Sequence, residues 1–131
     1  MSRYISPKLR ELVIKRAKFC CEYCLLPLHD GFYPYHIDHI ISLKHGGKTI
    51  LSNLALSCLL CNIHKGSNIG TMLLPDRFFI RLFNPRTDIW KEHFELIDGA
   101  IFAKTTIGEA TIKVLNLNEV ERIIERQVIG L

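Results

Sequence analysis

A small α+β fold is what this sequence of 131 residues predicts, from three features. Two C-x-x-C pairs, Cys21/Cys24 and Cys58/Cys61, stand with 33 residues between them. Inside that interval two short apolar runs, "YHIDHII" and "LALS", are joined by a loop carrying Gly46 and Gly47, the pattern of two paired strands. Helical spacing appears before the first pair and again at the second, so a strand pair flanked by helices follows.

The stretch "ISPKLRELVIKRAKF" has Ser6 as N-cap, Pro7 at the first helical position and Leu9, Leu12, Val13 and Ala17 on one stripe. Its outer face collects Lys8, Arg10, Lys15, Arg16 and Lys18 against Glu11; such a face is either simply solvated or a phosphate contact. "CCEYC" comes next, then a loop with Pro27, Gly31 and Pro34, where His29 and Asp30 read as loop and turn residues. Gly46 and Gly47 suit positive φ angles that reverse the chain after the first strand. "CLLCNIHKGSN" turns into a short helix ending near Gly66 or Gly70.

After residue 70 the texture changes. "DRFFIRLFNPRTDIWKEHFEL" has amphipathic pieces around the Asn84-Pro85 break, and "DGAIFAK" reads as a strand after a turn. "TIGEATIKVLNL" and "NEVERIIERQVI" read as helices opened by capping boxes from Thr106 to Glu109 and from Asn118 to Glu121. The expected organisation is a core over residues 1–70 and a small α/β extension over 71–131 packed on it as one compact domain. Trp90 reads as core, and Arg81, Arg86 and His93 as turn and helix residues.

No run approaches the roughly 20 apolar residues of a membrane span, and the N-terminus has no apolar leader, so a cytoplasmic protein with no membrane partner is expected. In that reducing compartment five cysteines ask for an explanation other than disulfides. Each C-x-x-C pair wraps one side of a tetrahedral zinc, and two pairs together fill all four positions, leaving no opening for catalytic water. Cys21, Cys24, Cys58 and Cys61 are therefore expected to bind one structural Zn²⁺. Cys20 is left as a small buried residue, although "CCEYC" also allows Cys20 to pair with Cys24. Four thiolates on one zinc bring the formal charge of +4 to about +2, so net charge argues only weakly for a polyanionic partner.

Five elements recur in order over residues 15–70: C-x-x-C, D-H-I, G-G, N-L and C-x-x-C-N-x-x-K-G. In this the chain resembles the HNH endonucleases, the ββα-metal nucleases, in their zinc-bracketed form. The resemblance implies a treble-clef-like ββα-metal core and a metal-dependent endonuclease that hydrolyses phosphodiester bonds in DNA, expected to be double-stranded. It implies that His39 is the general base, that Asp38 and Asn62 hold a catalytic divalent cation, and that Asn53 orients the base and ties down the loop. It makes Lys65 a candidate phosphate contact. His36 shares a strand face with Asp38 and is either a further metal or phosphate contact or a packed strand residue.

The chemistry is consistent with these roles. Carboxylate and amide oxygens are hard ligands suited to Mg²⁺ or Mn²⁺, and an imidazole with an ordinary pKa near 6.5 accepts a proton at neutral pH. Neighbouring side chains of a regular strand point to opposite faces, so Asp38 and His39 can serve one phosphate only where the strand bends, bulges or ends. The alternative from another class is a zinc-ribbon nucleic-acid-binding module without catalysis, which would need basic side chains rather than a base and two oxygen ligands at these positions. An RNA-directed nuclease would use the same site.

Overall fold

Ser6 and Pro7 start the first helix, α1 (Pro7–Arg16), where the Ser6 side chain accepts a hydrogen bond from the Leu9 amide over 3.1 Å. Val13 is fully buried, but Leu12, expected on the same stripe, is 43% exposed. Arg16, read as part of a solvated or phosphate-facing surface, turns back to the fold, donating to the carbonyls of Leu51 (2.9 Å) and Leu54 (2.6 Å). Lys15 pairs with Glu11 at 3.1 Å along the exposed face.

This is a computed structural model that describes residues 3–28 and 34–131, divided into two units, Met1–Ser67 and Asn68–Leu131. The turn readings of His29, Asp30 and Gly31 lie outside the described residues.

In the first unit, β1 (Tyr35–His39) and β2 (Leu54–Cys58) form an antiparallel ribbon, followed directly by α2 (Leu59–Lys65). This ββα order is the expected core architecture. Register runs from Tyr35 opposite Cys58 to His39 opposite Leu54 without a bulge. All five residues of β2 are buried, whereas β1 is buried only at Ile37 and Asp38. Tyr23, Leu26, Leu28, Ile37, Ile40, Leu54 and Leu56 complete the core with Val13.

The second unit holds two antiparallel hairpins, β3 (Gly70–Leu73) with β4 (Phe78–Arg81) and β5 (Phe94–Ile97) with β6 (Ala100–Ala103). It adds α3 (Trp90–His93), α4 (Thr106–Leu115) and α5 (Val120–Val128). Thr111, buried in α4, receives the Phe83 amide at 2.8 Å and itself donates to the Ile107 carbonyl. Trp90 packs on Phe94 with ring centroids 4.9 Å apart. Arg81 forms a two-pronged pair with Asp88 (2.7 and 3.0 Å), and the His93 ring meets the Thr105 hydroxyl at 2.7 Å.

Both expected capping boxes are corrected. The N-cap of α4 is Thr105, one residue earlier, which accepts from the Gly108 amide. Asn118 does not cap α5; its amide bridges the backbone of Ile101, accepting from N–H at 2.9 Å and donating to the carbonyl at 2.7 Å. Two buried arginines close this unit. Arg122 donates to the carbonyls of Leu115 and Asn116 at the end of α4, and Arg126 to those of Gly99 and Leu117. A guanidinium carries five donors in a fixed fork, so it satisfies helix-end carbonyls that have no partner within the helix.

Candidate active site and zinc bracket

The first C-x-x-C pair lies in a tight reversal after α1. The Cys21 amide donates to the Leu26 carbonyl at 2.9 Å, Leu25 donates back to Cys21, and Leu25 takes a positive φ of 69°. The second pair sits at the junction of β2 and α2, where Cys58 is the N-cap of the helix. Within each pair the second cysteine's amide points at the first one's sulfur, Cys24 N at 3.5 Å from Cys21 Sγ and Cys61 N at 3.4 Å from Cys58 Sγ. The neighbouring thiols and the Cys61 amide hold the Cys58 thiol below its ordinary range.

All four sulfurs lie within 4.8 Å of one another and are buried. Four ligands about 2.3 Å from a tetrahedral centre would stand about 3.8 Å apart. Cys24 and Cys58 sulfurs are 3.7 Å apart, far longer than a disulfide of about 2.05 Å. The four cysteines thus fit a zinc ion and could hold one. Cys20 stays outside the group, half-buried, with its thiol against the Lys18 carbonyl at 3.5 Å.

At the far end of β1 the regular ladder stops at His39, and Asn53 takes over its pairing. The Asn53 carbonyl receives the Ile40 amide, its side-chain oxygen receives the Ile41 amide, and its side-chain nitrogen donates to the carbonyls of Ile41 and Lys48, each at 2.9 Å. Gly47 packs into this turn so closely that a Cβ there would lie 1.7 Å from the Ile41 carbonyl oxygen and 2.8 Å from Asn53 Nδ2. Of the two glycines expected at positive φ, Gly46 adopts it (89°); Gly47 is required for close approach instead.

A cleft of about 440 Å³ opens at this strand end, lined among others by Asp38, His39 and Asn62. The end of β1 therefore brings Asp38 and His39 to one cleft, with Asn62 arriving from the first turn of α2. Asp38 is 4% exposed. Tyr23 donates its hydroxyl to Asp38 Oδ2 at 2.7 Å, and Lys65 Nζ lies 3.1 Å from the same oxygen; among the described residues Oδ1 meets only Lys65, at 3.4 Å. Burial pushes the Asp38 carboxyl up from its usual range, and the Lys65 charge and the hydrogen bonds from Tyr23 and Lys65 pull against it. Burial, with the adjacent Asp38 charge, pushes the Tyr23 phenol well above its ordinary value, so it stays a donor.

His39 Nε2 is 2.9 Å from the Thr49 hydroxyl. Burial lowers the His39 pKa; Asp38 opposes the shift, and the Lys65 and Arg3 charges reinforce it. The side chain that meets this ring is thus Thr49, while Asn53 engages backbone. Thr49 and Tyr23 carry no spacing signal in the sequence and were not foreseen.

One expected contact is corrected, and another lies away from the cleft. Lys65 is 2% exposed, and its ammonium is taken by Asp38 and by the carbonyls of His39 (3.2 Å) and Ile40 (2.9 Å), so it is not offered to a phosphate. His36 is exposed on its strand and does not line the cleft. The exposed cations that do line it are Arg3 and Lys44.

Asp38 and Asn62 offer hard oxygen donors at one cleft, a set that fits a divalent cation. The sequence pattern of the HNH endonucleases matches residues 21–68, the span from the first zinc-bracket cysteine to just past α2. Residues 21–68 thus carry the pattern of an HNH endonuclease domain. At the family level the HNH domain is that of a nuclease, which implies a nucleic-acid substrate. The chain is also 24% identical over 127 residues to the Septu protein PtuB of Bacillus thuringiensis, an alignment covering 95% of this chain. It spans 47% of that relative's length. No solved structure matches the chain.

Proposed function

We propose that the protein is a metal-dependent endonuclease that hydrolyses phosphodiester bonds in DNA, with His39 as general base and Asp38 and Asn62 as ligands of a catalytic Mg²⁺ or Mn²⁺. The observation that carries the reading is the convergence of these three side chains on one cleft at the end of β1. When bound there, a divalent cation supplies positive charge to the scissile phosphate and to the departing oxygen.

The chain's own groups divide the remaining work. In the tautomer whose Nε2 donates to the Thr49 hydroxyl, Nδ1 of His39 keeps its lone pair and takes the proton from the attacking water. The lowered pKa favours that neutral form at physiological pH. Arg3 and Lys44 on the cleft rim replace Lys65 as the groups that grip the phosphate backbone. Asn53 and Gly47 hold the turn that ends β1 and so set where His39 stands.

The test incubates the zinc-loaded protein and its His39→Ala variant with supercoiled plasmid and with RNA, in Mg²⁺, Mn²⁺ or chelator. Plasmid cleavage that needs the divalent ion and falls by about 10²- to 10⁴-fold in the variant is expected. Cleavage of RNA alone would reassign the substrate. Nucleic-acid binding without cleavage under any metal would favour the zinc-ribbon binding module.

A further inference from the structure

Tyr23 and Lys65 come from opposite halves of the cysteine bracket and meet at one carboxylate. Tyr23 lies between Cys21 and Cys24; Lys65 lies four residues beyond Cys61, one turn along α2. Both are buried, at 1% and 2% exposure. Their short contacts converge on the same oxygen, Asp38 Oδ2, at 2.7 Å from the Tyr23 hydroxyl and 3.1 Å from Lys65 Nζ. Among the described residues, Oδ1 has only the longer Lys65 contact of 3.4 Å.

A phenylalanine would fill the space of Tyr23 equally well, so the buried hydroxyl needs a reason. A buried polar group costs stability unless it is hydrogen-bonded, and a phenol facing a carboxylate donates to it. Carboxylates that hold metals are commonly fixed by such outer partners, which decide which oxygen faces the ion. Lys65 adds a second constraint, because its bonds to the His39 and Ile40 carbonyls pin the backbone where β1 ends.

We propose that Tyr23 is a positioning residue for the catalytic cation: by holding Asp38 through Oδ2 it turns Oδ1 to the cleft, and it makes the zinc bracket part of the active-site geometry as well as a staple of the fold. This rests on Asp38 being a cation ligand, as proposed above. Cys21 and Cys24, once they hold zinc, would fix the backbone on both sides of Tyr23, and Tyr23 fixes the ligand.

The test measures Mn²⁺ binding to the zinc-loaded full chain by electron paramagnetic resonance, for wild type, Tyr23→Phe and Asp38→Ala. Tyr23→Phe is expected to keep its zinc and to bind Mn²⁺ about 10- to 100-fold more weakly. Its cleavage should recover at high Mn²⁺, so that the loss appears in the half-saturating metal concentration more than in the saturated rate. Asp38→Ala is expected to lose the Mn²⁺ site. Wild-type affinity in Tyr23→Phe alongside a lost site in Asp38→Ala overturns the positioning role alone. Unchanged affinity in Asp38→Ala overturns the ligand assignment and this proposal with it. Should Tyr23→Phe fail to fold, the wild-type protein decides: the buried Tyr23 hydroxyl proton should give a slowly exchanging nuclear magnetic resonance signal that moves on adding Mg²⁺. No movement at saturating Mg²⁺ would overturn the proposal.

Discussion

Thr49 belongs to no motif, yet its hydroxyl is the group that meets the imidazole of His39, 2.9 Å from Nε2. A hydroxyl there can serve either tautomer of the ring and stops it from turning. Thr49→Val keeps the shape and removes the bond, so it should leave folding nearly unchanged and slow cleavage by up to about 10²-fold, as a misplaced reacting group does. Rate assays on the folded variant check this; wild-type rates would mean that the ring is held by packing alone. Lys65 teaches the opposite lesson. Its sequence position promised a phosphate contact, but the helix turn that carries it faces inward, where Asp38 and two carbonyls satisfy its charge. Spacing along a helix places a side chain on a face, and only packing tells whether that face is wet. Gly47 likewise was legible as a turn residue, while the reason for it, a carbonyl oxygen where a Cβ would go, depends on a chain segment folded back from Ile41.

Elements anchored by local chemistry were read well from sequence. Ser6 and Pro7 begin α1, the two C-x-x-C pairs come together, and β1, β2 and α2 follow in order. The cap expected at Asn118 fails because its side chain has a distant partner, the backbone of Ile101, whereas the cap of α4 is local and falls on Thr105, one residue before the one expected. Hairpin β3–β4 carries Phe78 and Phe79 side by side and mostly exposed, a pattern without the alternation that marks a strand. The zinc bracket dominates at this scale. A structural zinc of this kind contributes on the order of 10–16 kcal/mol, against a typical net domain stability of about 5–15 kcal/mol. Cys58→Ser removes one of the four sulfurs that could hold zinc, and with it the cap of α2, so the variant should unfold or aggregate rather than merely slow. Thermal melting with zinc analysis checks this; a variant without zinc that melts like wild type would remove the metal from the account of stability.

For the whole molecule, the HNH pattern ends at residue 68, and the chain's two units divide between Ser67 and Asn68. The alignment with PtuB covers 95% of the chain, so it continues through most of the second unit, past the end of the HNH pattern. The buried arginines Arg122 and Arg126 explain how that unit closes, and no sequence rule announces them, because arginine on an amphipathic helix ordinarily reads as solvated. In the proposed mechanism the chemistry turns on the protonation of His39. Its folded pKa lies below the ordinary 6.5, so the folded protein holds fewer protons there than the unfolded chain. Stability and the base form are therefore both present above about pH 6.5 and lost as pH falls through the folded value. The decisive measurement is the pH dependence of single-turnover plasmid cleavage in saturating Mg²⁺ for wild type and His39→Ala. The account predicts a wild-type rate that holds at pH 7 and falls on an acid limb below about 6.5, and a variant about 10²- to 10⁴-fold slower without that limb. Equal rates, or the same acid limb in both proteins, would contradict it.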